Sequence, residues 1–127
     1  MSAALSAGFA NPVHDAQAIF RCVMMAMARP GTVRRLAVHV DPPGSMQPAA
    51  AATALALCDF ETPVWLDEVF SGEPAVAEWL RFHTGAPIVP AARAAAFAFI
   101  ANGLALPDFS ALALGTLEYP DRSATLM

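Results

Sequence analysis

Three arginines fall within seven residues of one another, Arg29, Arg34 and Arg35, on either side of the dipeptide Pro30-Gly31. A guanidinium is permanently charged and presents a planar fork of N–H donors. A set of them can clamp a phosphate or phosphonate through paired, charge-assisted hydrogen bonds. The same residues can instead make interface salt bridges, and on a strand Arg34 and Arg35 must point to opposite faces. Their density makes Arg29, Arg34 and Arg35 the candidate anion-binding residues of the chain.

Other reactive side chains are dispersed. His14, His39 and His83 share no metal-ligand spacing with Cys22 or Cys58, so no metal site is expected. Both cysteines sit in apolar runs and read as reduced core residues. His83 and Arg81 fall where the last turn of a helix is expected, and the dipole there favours positive charge. Asp59, Glu61, Asp67, Glu68 and Glu73 bracket the apolar segment TPVWL and read as a solvated rim rather than paired acid and base catalysts. Ser45, Ser71, Ser110 and Ser123 stand at turns, where capping accounts for them. No glycine-rich phosphate loop and no G-x-S-x-G elbow occurs. No catalytic residue is assigned and no cofactor is expected.

The cations are all arginine: the chain contains seven and not one lysine. That excludes a lysine Schiff base and a P-loop lysine within these residues. A formal charge of −4 argues against nucleic-acid binding, which requires a basic stripe to displace counterions. At 57% hydrophobic and 14% charged residues, the chain carries little surface charge for its apolar content. That balance favours a partner surface or a symmetric dimer. The alanine-rich run from Ala94 to Pro107 is too short to span a bilayer and is broken at Asn102-Gly103. The N-terminus lacks the charged and apolar regions of a secretory signal. A cytoplasmic location is expected.

The elements that must position these groups form one domain over the 127 residues, with residues 1–10 as a flexible lead-in. Asn11-Pro12 starts a helix that runs to Arg29, with Asn11 as a candidate cap and Asp15 near the first turn. Val13, Ala16, Ile19, Phe20, Val23, Met24 and Met27 make one broad apolar face. Ala18, Cys22, Met25 and Ala26 make a second, so burial on more than one side is expected. Arg29 is pushed out of helical geometry by Pro30, and Pro30-Gly31 fits the centre of a type II turn. Thr32–Val40 reads as a strand, Pro48–Cys58 as a second helix, Thr62–Leu66 as a strand and Pro74–His83 as a third helix stopped by Gly85. Ala86–Val89 and Ala94–Ala101 read as further strands, Phe109–Leu112 as a short helical piece, and Ser123–Met127 as the start of another strand. Alternating strands and helices give an α/β domain, a mixed sheet with helices packed on it.

Four separated motifs carry a family resemblance: PVHDAQAIFR…MAMARPGT, TPVWL, LRFHTGAPIV and LGTLEYPDRSATL. In this order, from about Phe9 onward, the chain resembles the PhnH family, a subunit of the bacterial carbon–phosphorus lyase system for phosphonate use. The resemblance implies an accessory, cytoplasmic subunit that acts with PhnG, PhnI and PhnJ and forms homodimers. The step it implies replaces the adenine of ATP with a phosphonate, a ribose 1-methylphosphonate 5-triphosphate synthase reaction. The alternative is that the domain itself binds a small anion or nucleotide and takes part directly in that transfer. The implied fold is like that of pyridoxal-phosphate-dependent transferases, without the coenzyme's lysine. Family chains continue beyond SATL with further strands and a helix, so these residues are expected to form the N-terminal two-thirds of such a domain.

Overall fold

The computed structural model describes residues 5–127. Its first helix, α1 (Pro12–Ala28), has Pro12 at its first position, where the missing N–H costs nothing. Asn11 does not cap with its side chain. Instead the Asp15 carboxylate accepts the Asn11 backbone N–H at 3.0 Å, closing the helix start from inside the first turn. At the other end Thr32 N–H reaches Arg29 O at 3.3 Å across Pro30-Gly31, with Gly31 at φ +85°. That is the expected type II turn, whose third position needs positive φ.

The broad burial expected for α1 is not found. Ile19 alone is fully buried, while Ala16, Cys22, Val23 and Ala26 are half-buried along the same narrow stripe. Val13, Phe20, Met24 and Met27 remain exposed. The reason is geometric: α1 packs mainly on α2 (Pro48–Leu57), and one neighbour covers only one stripe of a helix. The alanines of α2 permit close approach, and Ala51, Ala52 and Ala54 are completely enclosed.

The segment 32–40 is a second correction. It is extended, and Leu36, Val38 and Val40 turn inward while Arg35, Ala37 and His39 face out, so the period of two holds. Among the described residues it has no ladder partner and is not a strand. Sequence propensity sets the extended backbone, but a strand also needs a neighbour to exchange hydrogen bonds with.

The sheet has three short strands, β1 (Val64–Leu66), β2 (Phe97–Phe99) and β3 (Thr125–Leu126), in the order β1-β2-β3. Both pairings are parallel, with Val64 opposite Phe97 and Phe97 opposite Thr125. The expected mixed sheet is thus all-parallel in its named strands, and among the described residues the one antiparallel contact is an isolated bridge between Leu114 and Ser123. Ala86–Val89, expected as a strand, contributes a single parallel bridge from Ile88 to Val64. Ala94–Ala101 divides into a 3₁₀ turn at Ala92–Ala94 and the three residues of β2.

Parallel strands need a crossover, and the β1–β2 crossover contains α3 (Glu68–Ser71) and α4 (Pro74–Thr84). The single turn α3 is too short to show periodicity in sequence. It is held by Asp67, which accepts the Phe70 N–H at 3.0 Å, and by the buried Phe70 side chain. Helix α4 ends as expected at Gly85, in the left-handed region at φ +72°. Trp79, Leu80 and Val76 of α4 lock into a core with Val64, Phe99, Ile19 and Val40. Residues 5–10, read from the sequence as part of a flexible lead-in, lie over α4. There the Ser6 carbonyl accepts from Trp79 Nε1 at 3.0 Å and from His83 Nε2 at 2.9 Å. Residues 1–4 of that lead-in lie outside the described residues. Among the described residues no helix is long and apolar enough to cross a membrane.

Candidate functional site

Two of the three candidate arginines, Arg34 and Arg35, line one groove. Arg29 closes α1, and its carbonyl is held by the Thr32 N–H and by Thr32 Oγ1 at 2.8 Å. Arg34 and Arg35 lie beyond the turn on the extended segment. There they line a groove of about 450 Å³ together with Leu36, Val38, His39, Pro48 and Ala49. Arg29 is not part of that lining. The proline turn that makes the three arginines neighbours in sequence also sends the chain away from Arg29.

Two contributors to this groove escaped the sequence reading. The first is His39, which lines the same groove four residues after Arg35. The second is the start of α2. Gln47 gives no side-chain cap, the first turn has no acidic residue, and Pro48 has no N–H. The N–H of Ala51 reaches Gln47 O, which leaves those of Ala49 and Ala50 without a partner among the described residues. Only the tertiary fold places that helix start beside the arginines.

The charge pattern around the groove is one-sided. From residue 16 to residue 58 the chain contains four arginines, one histidine and a single carboxylate, Asp41. In a chain of net charge −4, the other ten of its eleven acidic groups therefore lie elsewhere. Among the described residues neither Arg34 nor Arg35 forms an ion pair. Their forks face solvent, where an oxyanion can engage them.

The carboxylates around β1 hold backbone in place instead of forming a catalytic pair. Asp67 is half-buried; besides capping α3 it accepts the Ala101 N–H at 2.8 Å, tying the loop after β1 to the loop after β2. Glu73 accepts the Ser45 N–H at 3.2 Å and Ser45 Oγ at 2.8 Å, anchoring the loop before α2. Asp59 caps its own turn through the Glu61 N–H. His83, bonded to the Ser6 carbonyl, serves the packing over α4. Cys58 is buried, and burial pushes its thiol up to about 11, which suppresses the reactive thiolate. No three His, Cys, Asp or Glu side chains among the described residues gather closely enough to hold a metal ion.

A second surface feature is apolar. Phe20, Val23, Met24 and Met27 of α1, with Leu57 of α2, line a cleft of about 330 Å³. Met27 is 69% exposed and Phe20 51%, so this face is uncovered in the single chain.

Comparison with known proteins places the sequence in a family. The family described as bacterial phosphonate metabolism protein (PhnH) matches residues 7–127. A protein of Rhizobium meliloti (strain 1021), named alpha-D-ribose 1-methylphosphonate 5-triphosphate synthase subunit PhnH, is 47% identical over 122 residues, which is 96% of this chain. The chain spans 60% of that relative's length. With the family matched across nearly all of the sequence, the chain belongs to the PhnH family of bacterial phosphonate metabolism proteins.

Proposed function

We propose that the chain acts in phosphonate catabolism as an accessory subunit of a ribose 1-methylphosphonate 5-triphosphate synthase. The reaction joins a phosphonate to the ribose of ATP with loss of adenine. The observation that carries this reading is the 47% identity to a relative bearing that subunit name. Its partners are the other carbon–phosphorus lyase subunits, PhnG, PhnI and PhnJ, and its setting is the cytoplasm. The uncovered apolar face of α1, with Phe20, Met24 and Met27 exposed, gives such a subunit surface to bury against a partner or a second copy. The fold is like that of pyridoxal-phosphate-dependent transferases, and the absence of lysine from these residues fits a version that holds no coenzyme through an aldimine. Affinity capture of the tagged, full-length protein from cells grown on phosphonate is expected to recover the partner subunits. Clean capture of the bait alone would end this reading.

The groove favours a second reading, in which the chain itself contacts an anionic substrate of that transfer. Arg34 and Arg35 would carry the contact. Arg29, absent from the groove lining, would contribute only through its charge.

A further inference from the structure

We propose that the groove between segment 34–39 and the start of α2 is a binding site for the terminal –PO₃ group of a phosphonate or phosphate ester. It rests on the second reading above and specifies the ligand class and the groups that hold it. Arg34 and Arg35 supply the charge. His39 completes the donor set with the start of α2, whose Ala49 lines the groove and whose Ala49 and Ala50 N–H groups have no partner among the described residues.

The donor count selects the ligand. Two guanidinium forks, an imidazole and two partnerless amides exceed what the two oxygens of a carboxylate can accept. A tetrahedral –PO₃ group offers three oxygens and up to two negative charges. The field agrees: Asp41, the single carboxylate between residues 16 and 58, lines a different pocket and not this groove, and a helix start favours an anion. The remaining lining, Leu36, Val38 and Pro48, is apolar. It suits the carbon substituent of a phosphonate or an ester better than bare inorganic phosphate, and about 450 Å³ lies within the range of small-molecule sites. A merely solvated arginine pair has no need of a helix start or of an apolar wall, and the helix start and Pro48 come from α2 rather than from the arginine segment.

The test uses the 127-residue chain, titrated with methylphosphonate, inorganic phosphate, tripolyphosphate, ATP, sulfate and an oligoglutamate peptide. Binding is followed by calorimetry and by amide resonances in two-dimensional NMR. Saturable binding of methylphosphonate or a phosphate ester, with the Ala49 and Ala50 amides among the largest shifts, is the expected result. Arg34→Ala and Arg35→Ala should each weaken it roughly 10- to 100-fold, as expected for a lost hydrogen bond to a charged group. Arg29→Ala and Arg93→Ala should leave it unchanged. Because both groove arginines are exposed, neither variant should alter the melting temperature. Methylphosphonate binding tighter than phosphate identifies the phosphonate as the preferred source, and the reverse order with ATP or tripolyphosphate identifies a phosphate ester. The proposal is overturned by silent Ala49 and Ala50 amides, by equal affinity in the arginine variants, by sulfate binding as tightly as any –PO₃ ligand, or by preferential capture of the acidic peptide. These outcomes are separate from the capture experiment: lost partners with intact groove binding refutes the subunit reading alone, and the converse refutes the groove alone.

Discussion

Replacing Asp67 by alanine should destabilise the domain far more than a half-exposed loop carboxylate suggests. One of its oxygens accepts the Phe70 N–H at 3.0 Å and caps α3, and the other accepts the Ala101 N–H at 2.8 Å. Loss of the cap costs about 1 kcal/mol. The Ala101 N–H, in a part-buried position just past β2, is left without its acceptor at a cost of about 1–2 kcal/mol. Together these give roughly 2–3 kcal/mol, a fall in melting temperature on the order of 10 °C for a domain of this size. Asp67→Asn is the informative partner variant. Asparagine caps nearly as well, but its amide nitrogen cannot accept from the second N–H. Its cost should be about half that of alanine. Urea denaturation of the parent and both variants, followed by far-ultraviolet circular dichroism, measures the three stabilities. An alanine variant within about 0.5 kcal/mol of the parent, the scale of an ordinary surface substitution, would refute the idea that one carboxylate joins the two strand ends.

Two further tests probe the backbone and the core. Gly115 has φ +74°, and an added Cβ would stand 2.9 Å from the Pro120 carbonyl oxygen; Gly115→Ala should therefore cost more than the roughly 1–2 kcal/mol of a left-handed alanine alone. Gly31 is also left-handed but has open space around its Cβ position, so Gly31→Ala should cost only that conformational penalty, and thermal melts of the two variants check the order. Burial raises the Cys58 thiol to about 11, above the roughly 8.5 of an exposed thiol. The folded state thus holds this proton more tightly than the unfolded state. The associated stability is fully present below the unfolded value and is lost as pH rises through about 9 to 11. Cys58→Ala should flatten that decline in urea-midpoint measurements, and in the parent at neutral pH a thiol reagent should modify the half-buried Cys22 well before Cys58.

The local signals in the sequence proved dependable where the physics is local. Pro12, Pro48 and Pro74 each stand at a helix start, and Gly85 sits one residue beyond a helix end, because ring closure and the missing Cβ act within a single turn. The Pro30-Gly31 turn follows from the same two residues. The failures were non-local. The segment 32–40 has the propensity and alternation of a strand, but pairing requires a second segment, and nothing in its own residues reveals whether one lies alongside. The apolar residues of α1 were expected to be covered because they are apolar, yet Phe20 and Met24 stay exposed since α2 covers one stripe only. Helix α3 was invisible because its four residues carry no period; its cap and one buried phenylalanine hold it.

The candidate site divides along the same line. The sequence by itself determined that cations gather near the Pro-Gly turn, that no lysine is available for covalent chemistry, and that four ordered motifs mark the PhnH family. Tertiary structure decided which cations line one groove. A turn that separates Arg29 from Arg34 and Arg35, and a helix start brought up from residue 48, are consequences of packing between segments. Charge and propensity belong to individual residues and can be read in order, whereas convergence on one ligand depends on distances that only the folded chain sets.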